Sequence, residues 1–350
     1  MSSSTSDAAT TSYSTIAVVS TGAYAEHFLK ALVKSKQFTK VRAVTRKAGA
    51  DEKEKLARIS ELVSLGAELH EYTEDTAEAF KAAFADIEVV VSAVGVSAVS
   101  VQVPMIDGAI AAGVRWFFPS EFGVAHYESK LLPFKGPLDH MIDIQEYLEK
   151  TAKPAGLAYT IVYTGLAMDY LNPQSIGLII PKHAATLVGR GGSKVSFTTL
   201  KDTVTLLLDI LSRPQEMQNR TIRYAGSTTN MRELVKLVTG NNRGENVKIL
   251  SVNEAKSTLC HLAQKKDMMA FFMYCRILIE EGLAQIDRNP GEHLDNNLFP
   301  EIKPEHIFET ITHLIKESEA QKNAGAHPES SDDAAAPVGS ANKAVSPAAE

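Results

Sequence analysis

Residues 15–25 read Thr15-Ile16-Ala17-Val18-Val19-Ser20-Thr21-Gly22-Ala23-Tyr24-Ala25. A short, β-branched apolar run breaks into a small polar turn. The turn leads into Ala25–Lys36, where Phe28, Leu29, Leu32 and Val33 repeat at helical spacing. A strand that is apolar throughout is buried on both faces, as strands are in parallel sheets whose crossover helices cover both sides. This stretch therefore opens a doubly wound α/β sheet.

The alternation continues outward. Strands are expected at Val41–Thr45, Ala67–Tyr72, Val89–Ser92, Arg115–Phe118 and Ala158–Tyr163. Helices are expected between them at Lys53–Leu65, Thr76–Phe84, Val101–Ala112 and Asp139–Lys153. Six strand–helix units predict a parallel Rossmann sheet over 15–165. Beyond Tyr163 the rhythm loosens. Strands at Ala185–Gly189, Lys194–Phe197, Thr221–Tyr224 and Val247–Ser251 mix with helices at Leu200–Leu211, Met231–Val238, Asn253–Gln264, Lys266–Gln285 and Pro304–Ile315. Residues 166–320 are read as a smaller α+β substrate lobe packed against the sheet edge. The Ser/Thr-rich residues 1–14 and the small, polar, Pro-containing residues 321–350 lack apolar groups to offset chain entropy, so both are read as disordered.

In such a sheet a ligand sits beyond the carboxyl ends of the strands, near the switch point. The first strand-to-helix turn is the place to look. A dinucleotide turn uses three glycines, for the tight turn, for pyrophosphate approach and for helix packing. Here Val19, Gly22 and Ala25 fill those places. Ser20, Thr21, Gly22, Ala23 and Tyr24 are the candidate phosphate contacts. Val19 is the costly replacement if that position needs positive φ. The second strand ends in Thr45-Arg46-Lys47, with no carboxylate before Asp51. Cations there suit a ribose 2′-phosphate, so Arg46 and Lys47 favour NADP(H) over NAD(H). Two solvated surface cations would look the same. Ala93, Val94 and Gly95 after the fourth strand are small enough for a cofactor to lie across the strand tip.

Arg115-Trp116-Phe117-Phe118-Pro119-Ser120-Glu121-Phe122-Gly123 is more distinctive. With Ala111-Ala112-Gly113-Val114 before it, this segment resembles the RFxPSEFG element of the isoflavone reductase-like, NmrA-like group of atypical short-chain dehydrogenases. Gln145-Glu146-Tyr147-Leu148 and Lys194–Asp202 (KVSFTTLKD) resemble later segments of the same group. The resemblance runs from about Thr15 to Ile315. It implies an NADP(H)-binding Rossmann domain, a small substrate lobe and reduction of an aromatic or polyketide-like metabolite. Ser120 is then expected at the cofactor, and Glu121 and Phe122 at the substrate. Some members of the group bind dinucleotide without known catalysis and act as regulators.

Two departures from the group are visible. Two of the three turn glycines are gone, and Met141 stands where the group's reductases carry a lysine. A thioether cannot give or take a proton. His140 and Lys135 are the nearest substitutes. Tyr163, at the end of the sixth strand, is a third catalytic candidate. Met141 and Met168 are expected to line the substrate, and so is Phe272 in the apolar run 268–274, whose plainer reading is core. Non-redox work on the same fold, as an isomerase, cyclase or dehydratase, and a dinucleotide-sensing regulatory role are the alternatives.

Other chemistries are not supported. None of the ten tyrosines has Lys four residues on. There is no G-x-S-x-G elbow and no H-E-x-x-H, and the histidines show no metal-ligand spacing. Gly189–Ser193 is glycine-rich without a P-loop lysine, and reads as a turn between strands. The chain has 350 residues and a formal net charge of -6, which argues against nucleic acid. Cys260 and Cys275 are its two cysteines, too few for a disulfide framework, and point to a reducing, cytoplasmic setting. No apolar run approaches the ~18 residues of a membrane span. The first residues lack the pattern of a secretory signal. A small aromatic molecule is the expected partner, and a homodimer is compatible with the sequence.

Overall fold

In the computed structural model, residues 12–125, 139–167, 169, 173–240, 246–265, 267, 269–289 and 291–323 are described. Strands β1 (Thr15–Val19), β2 (Lys40–Arg46), β3 (Glu68–Tyr72), β4 (Val89–Ser92), β5 (Trp116–Phe118) and β6 (Ala158–Tyr163) form one parallel sheet in the order β3-β2-β1-β4-β5-β6. The order reverses between β1 and β4, which makes their carboxyl ends the switch point.

Alternate residues of each strand face opposite layers. Ile16, Val18, Val89, Val91, Trp116 and Phe118 pack with Phe28, Leu29 and Leu32 of α1 (Ala23–Ser35) and Leu62 of α2 (Lys53–Ser64). Ala17, Val19, Val44, Val90 and Phe117 pack with Phe80 of α3 (Ala77–Ala83), Met105, Ile106 and Ala109 of α4 (Gln102–Ala112) and Leu148 of α5 (Asp139–Thr151). Both faces are dry, as the continuous apolar strands required.

The rest of the chain does not stay in a separate lobe. Strands β7 (Leu178–Ile179), β8 (Ala184–Val188) and β9 (Lys194–Phe197) are followed by α6 (Leu200–Ser212) and α7 (Pro214–Met217). Leu206, Leu207 and Ile210 of α6 bury into the layer of α1. Strand β10 (Arg220–Arg223) then pairs in parallel with β6 and becomes the seventh strand of the main sheet. The expected boundary at 165 is therefore not where the sheet ends. Next come β11 (Ser227–Asn230), α8 (Met231–Thr239), β12 (Val247–Leu250), α9 (Val252–Gln264), α10 (Met269–Glu280) and α11 (Ile307–Asn323). β11 pairs antiparallel with β9, and β12, β8 and β7 make a small second sheet. α10 buries Met273, Tyr274, Ile277 and Leu278, in line with the core reading of residues 268–274. No helix among the described residues is long and apolar enough to cross a membrane.

The expected N-terminal disorder is too long by at least two residues. Tyr13 is buried 5.9 Å from the Trp116 ring, with the Arg115 guanidinium 4.8 Å above it. Ser14 donates its backbone N–H to Glu88 at 2.7 Å. The Tyr13 ring and the hydrogen bonds of Ser14 dock the segment together. At the other end, α11 continues to Asn323, past the expected start of the tail at 321. Residues 1–11 and 324–350 lie outside the described residues.

Candidate active site

The turn after β1 differs from its expected geometry in one respect. Val19 remains an ordinary buried strand residue, and the positive φ, 109°, falls on Ser20. A non-glycine residue is strained there. Two bonds hold it: the Ser20 N–H donates to the Val44 carbonyl at 2.8 Å, and its Oγ accepts from the Gly22 N–H at 3.0 Å. Gly22 is the N-cap of α1, which has no side-chain cap. Orphan N–H groups of a helix start favour an anion. Among the described residues, a Cβ built on Gly22 would meet Ser20 Oγ, at 3.5 Å, and one on Gly95 would meet nothing within 4 Å. No described residue crowds either glycine. Thr21 is buried, and Ala23 and Tyr24 start the helix.

Across the switch point, Ser92 is fully buried and its hydroxyl has no partner among the described residues. The Ala93 N–H donates to the Val19 carbonyl at 3.1 Å. Ser120 ties the loops after β4 and β5 together. Its Oγ donates to the Val94 carbonyl and its N–H to Gln102 Oε1, both at 2.8 Å. Arg46 ends β2 as expected, but its guanidinium is engaged by the Thr73 carbonyl at 3.0 Å and by the Asp75 carboxylate. Lys47 is exposed. The turn, the β4 tip and the two cations fit a phosphate-bearing dinucleotide. A 2′-phosphate would share Arg46 with Asp75.

The expected substrate and catalytic residues divide. Phe122 stacks on Tyr24, centroids 6.4 Å apart, and meets Phe28 edge-on at 4.9 Å, so it braces α1. Met141 is buried in the core beneath α5, not presented to a pocket as expected. His140, expected at the proton, lies on the exposed face of α5, 3.9 Å from Asp143. The buried stripe of α5 runs through Met141, Gln145, Leu148 and Ala152, and one residue back from Met141 turns a side chain out to solvent. Phe272 is half-buried on α10. Lys135 and Met168 lie outside the described residues.

A second polar group sits beyond the ends of β5, β6 and β10. Glu121 is fully buried, and burial pushes its carboxyl well above the usual range. Gln145 is buried and donates from its amide to the Tyr163 hydroxyl. Burial pushes the Tyr163 phenol up, so it keeps its proton. Arg223 reaches over the Tyr163 ring, 5.8 Å from its centroid, and pairs with Glu292. Gln145, Arg223 and Glu292 escaped the sequence reading. Gln145 had left one sign, a polar residue in the apolar stripe of α5. Arg223 and Glu292 had left none, because their partners are far away in sequence. The group can hold a proton at the Tyr163 hydroxyl and aim it.

The NmrA-like family model matches residues 12–287. An NmrA-like family domain-containing oxidoreductase of Gibberella moniliformis is 28% identical over 138 residues, 39% of this chain and 45% of that protein. Isoflavone reductase homolog P3 of Arabidopsis thaliana is 28% identical over 168 residues, 46% of this chain and 53% of that one. The chain spans about half the length of the curated relatives it matches. Among solved structures, AtPrR2 with NADP+ and (+)pinoresinol superposes with a TM-score of 0.71 at 21% identity, over 86% of this chain and 98% of that one. The leucoanthocyanidin reductase–NADPH complex of Vitis vinifera gives 0.69 at 16% identity, over 86% and 99%. At these identities the likeness is one of fold.

Proposed function

This chain belongs to the NmrA-like family, and we propose that it is an NADP(H)-dependent reductase of an aromatic or polyketide-like small molecule. Relatives named oxidoreductases and structural neighbours that hold NADP+ or NADPH support the reading. The observation that carries it is the Tyr163 hydroxyl. Gln145 donates to its oxygen, which leaves the phenol hydrogen free to be given away. This donor lies beyond the same sheet edge as the turn built around Gly22.

NADPH, when bound, would supply a hydride. The N–H groups at the start of α1 would bind its pyrophosphate, with Ser20 and Gly22 shaping the turn. Arg46 and Lys47 would hold the 2′-phosphate through charge-assisted bonds. Ala93, Val94 and Gly95 leave room at the strand tip, and Ser120 fixes the loop that borders it. Tyr163 delivers the proton to the reduced substrate, and Gln145 orients it. The proton role passes from His140 to Tyr163.

A non-redox reading, as an isomerase, cyclase or dehydratase, has one observation in its favour: Met141, at the position where the resemblance implies a lysine in the group's reductases, is a buried thioether. One experiment separates the two. NADPH binding is measured by titration calorimetry, and turnover of phenolic and polyketide substrates is then followed by loss of the nicotinamide absorbance. Binding with NADPH consumption supports the reductase. Substrate conversion with NADPH intact selects the non-redox enzyme. Binding of neither NADPH nor NADH at millimolar concentration sinks the cofactor assignment.

A further inference from the structure

We propose that Arg223 and Glu292 are a positioning pair for Tyr163, holding its ring in place and setting how readily its hydroxyl gives up a proton. The inference rests on reading Tyr163 as the proton donor.

The geometry starts with strand register. β10 pairs with β6 so that Arg223 stands directly beside Tyr163 at the carboxyl edge. The Tyr224 N–H donates to the Tyr163 carbonyl at 3.0 Å, which locks the two strand ends together. The guanidinium folds over the phenol ring, 5.8 Å from its centroid, where a cation is attracted to the ring face. It is held from the far side. Glu292 accepts from Arg223 Nη2, and each partner of the pair is about one-fifth exposed. Asp295 Oδ2 accepts the Arg223 N–H at 2.8 Å, and the Asp295 N–H donates to the Arg223 carbonyl at 2.7 Å. Glu292 Oε2 in turn accepts the Asn289 N–H at 3.2 Å. Glu292 and Asp295 are thus stapled to the end of β10, and Ile286 and Leu294 pack with Tyr163 in one apolar cluster.

Four groups face the phenol: Glu121 from the loop after β5, Gln145 from α5, Arg223 from β10 and Glu292 from the segment before α11. Burial is the largest influence and keeps the phenol protonated. On top of it, the Gln145 hydrogen bond and Arg223 favour the phenolate, and Glu292 opposes it. The two members of the ion pair therefore act on one hydroxyl with opposite sign. The strand register and the stapling of Arg223 by Glu292 and Asp295 fix the place from which both charges act.

The test places a fluorinated tyrosine at position 163 of the full chain and follows its ionisation by fluorine NMR across pH. Ring fluorines bring the titration into the range of the folded protein, and no substrate is needed. Arg223→Gln is expected to raise the midpoint by about one unit and Glu292→Gln to lower it. Arg223→Lys is expected to keep the midpoint close to that of the parent chain. Shifts of the same sign, or none in Glu292→Gln, would overturn the proposal. If Arg223→Gln does not fold, the nearly isosteric Glu292→Gln decides alone, by whether its midpoint falls. The outcome is separate from the reductase reading. Full turnover in Tyr163→Phe would remove Tyr163 as the donor whatever the titration shows.

Discussion

The turn after β1 and the turn after β6 lie beyond the same edge of the same sheet, yet they are built in opposite ways. At the first, no described residue crowds Gly22 and the useful groups are backbone N–H donors. At the second, Gly165 has φ +72°, and a Cβ there would stand 2.1 Å from the Ser196 carbonyl oxygen. The useful groups are side chains, brought from four separated segments. A site made of backbone survives changes of sequence, so Ser20 can take up the positive φ with two local hydrogen bonds. A site made of buried side chains tolerates no such exchange.

The sharpest way to test the contrast is Tyr163→Phe, which removes one oxygen from the side-chain site. Turnover should fall by roughly 10²- to 10⁴-fold while NADPH affinity in calorimetry stays put. A parallel loss of affinity would show that the two turns are not separable.

Gly165→Ala comes next. The positive φ and the clash with Ser196 should together cost about 2–4 kcal/mol, read as a lower midpoint in urea. Gly22→Ala should leave that midpoint where it was. Equal losses at the two glycines would erase the comparison.

Arg46→Ala acts on the backbone-built side. It should narrow the preference for NADPH over NADH by about 1–3 kcal/mol, measured as the ratio of dissociation constants. An unchanged ratio would leave Arg46 as a partner of Asp75 only.

Ser20→Gly should stabilise the chain by about 1 kcal/mol, since it removes the strained φ. Thermal melting checks this, and a lower melting temperature would mean that the Ser20 hydroxyl matters more than the strain. His140→Ala should change turnover least of all, because the ring faces solvent. A tenfold loss would return the proton to the start of α5.

The main elements were legible because their signals are local. The apolar runs at Thr15–Val19, Val89–Ser92 and Ala158–Tyr163 match strands of the structure without adjustment. The seventh strand was seen as a strand but not as part of the main sheet. Nothing in Arg220–Arg223 says that its neighbour is β6, because parallel pairing joins segments far apart in sequence. The site shows the same limit. Tyr163 and Glu121 stand at strand ends and could be picked out. Arg223 and Glu292 are ordinary charges until the fold brings them together. The exposure of His140 was legible for a different reason. The stripe Met141, Gln145, Leu148 and Ala152 already fixes the phase of α5, and reading it would have turned His140 outward.

The path of the chain past β6 has a consequence for anyone wishing to exchange parts between relatives. A fragment ending near residue 165 would lack α6 and β10, leaving β6 as a bare edge and the layer beneath Leu206, Leu207 and Ile210 uncovered. The nucleotide half is not a transplantable module. A working chimera has to carry residues 200–223 along with 15–165, and the two halves should then melt as one cooperative unit, not one after the other.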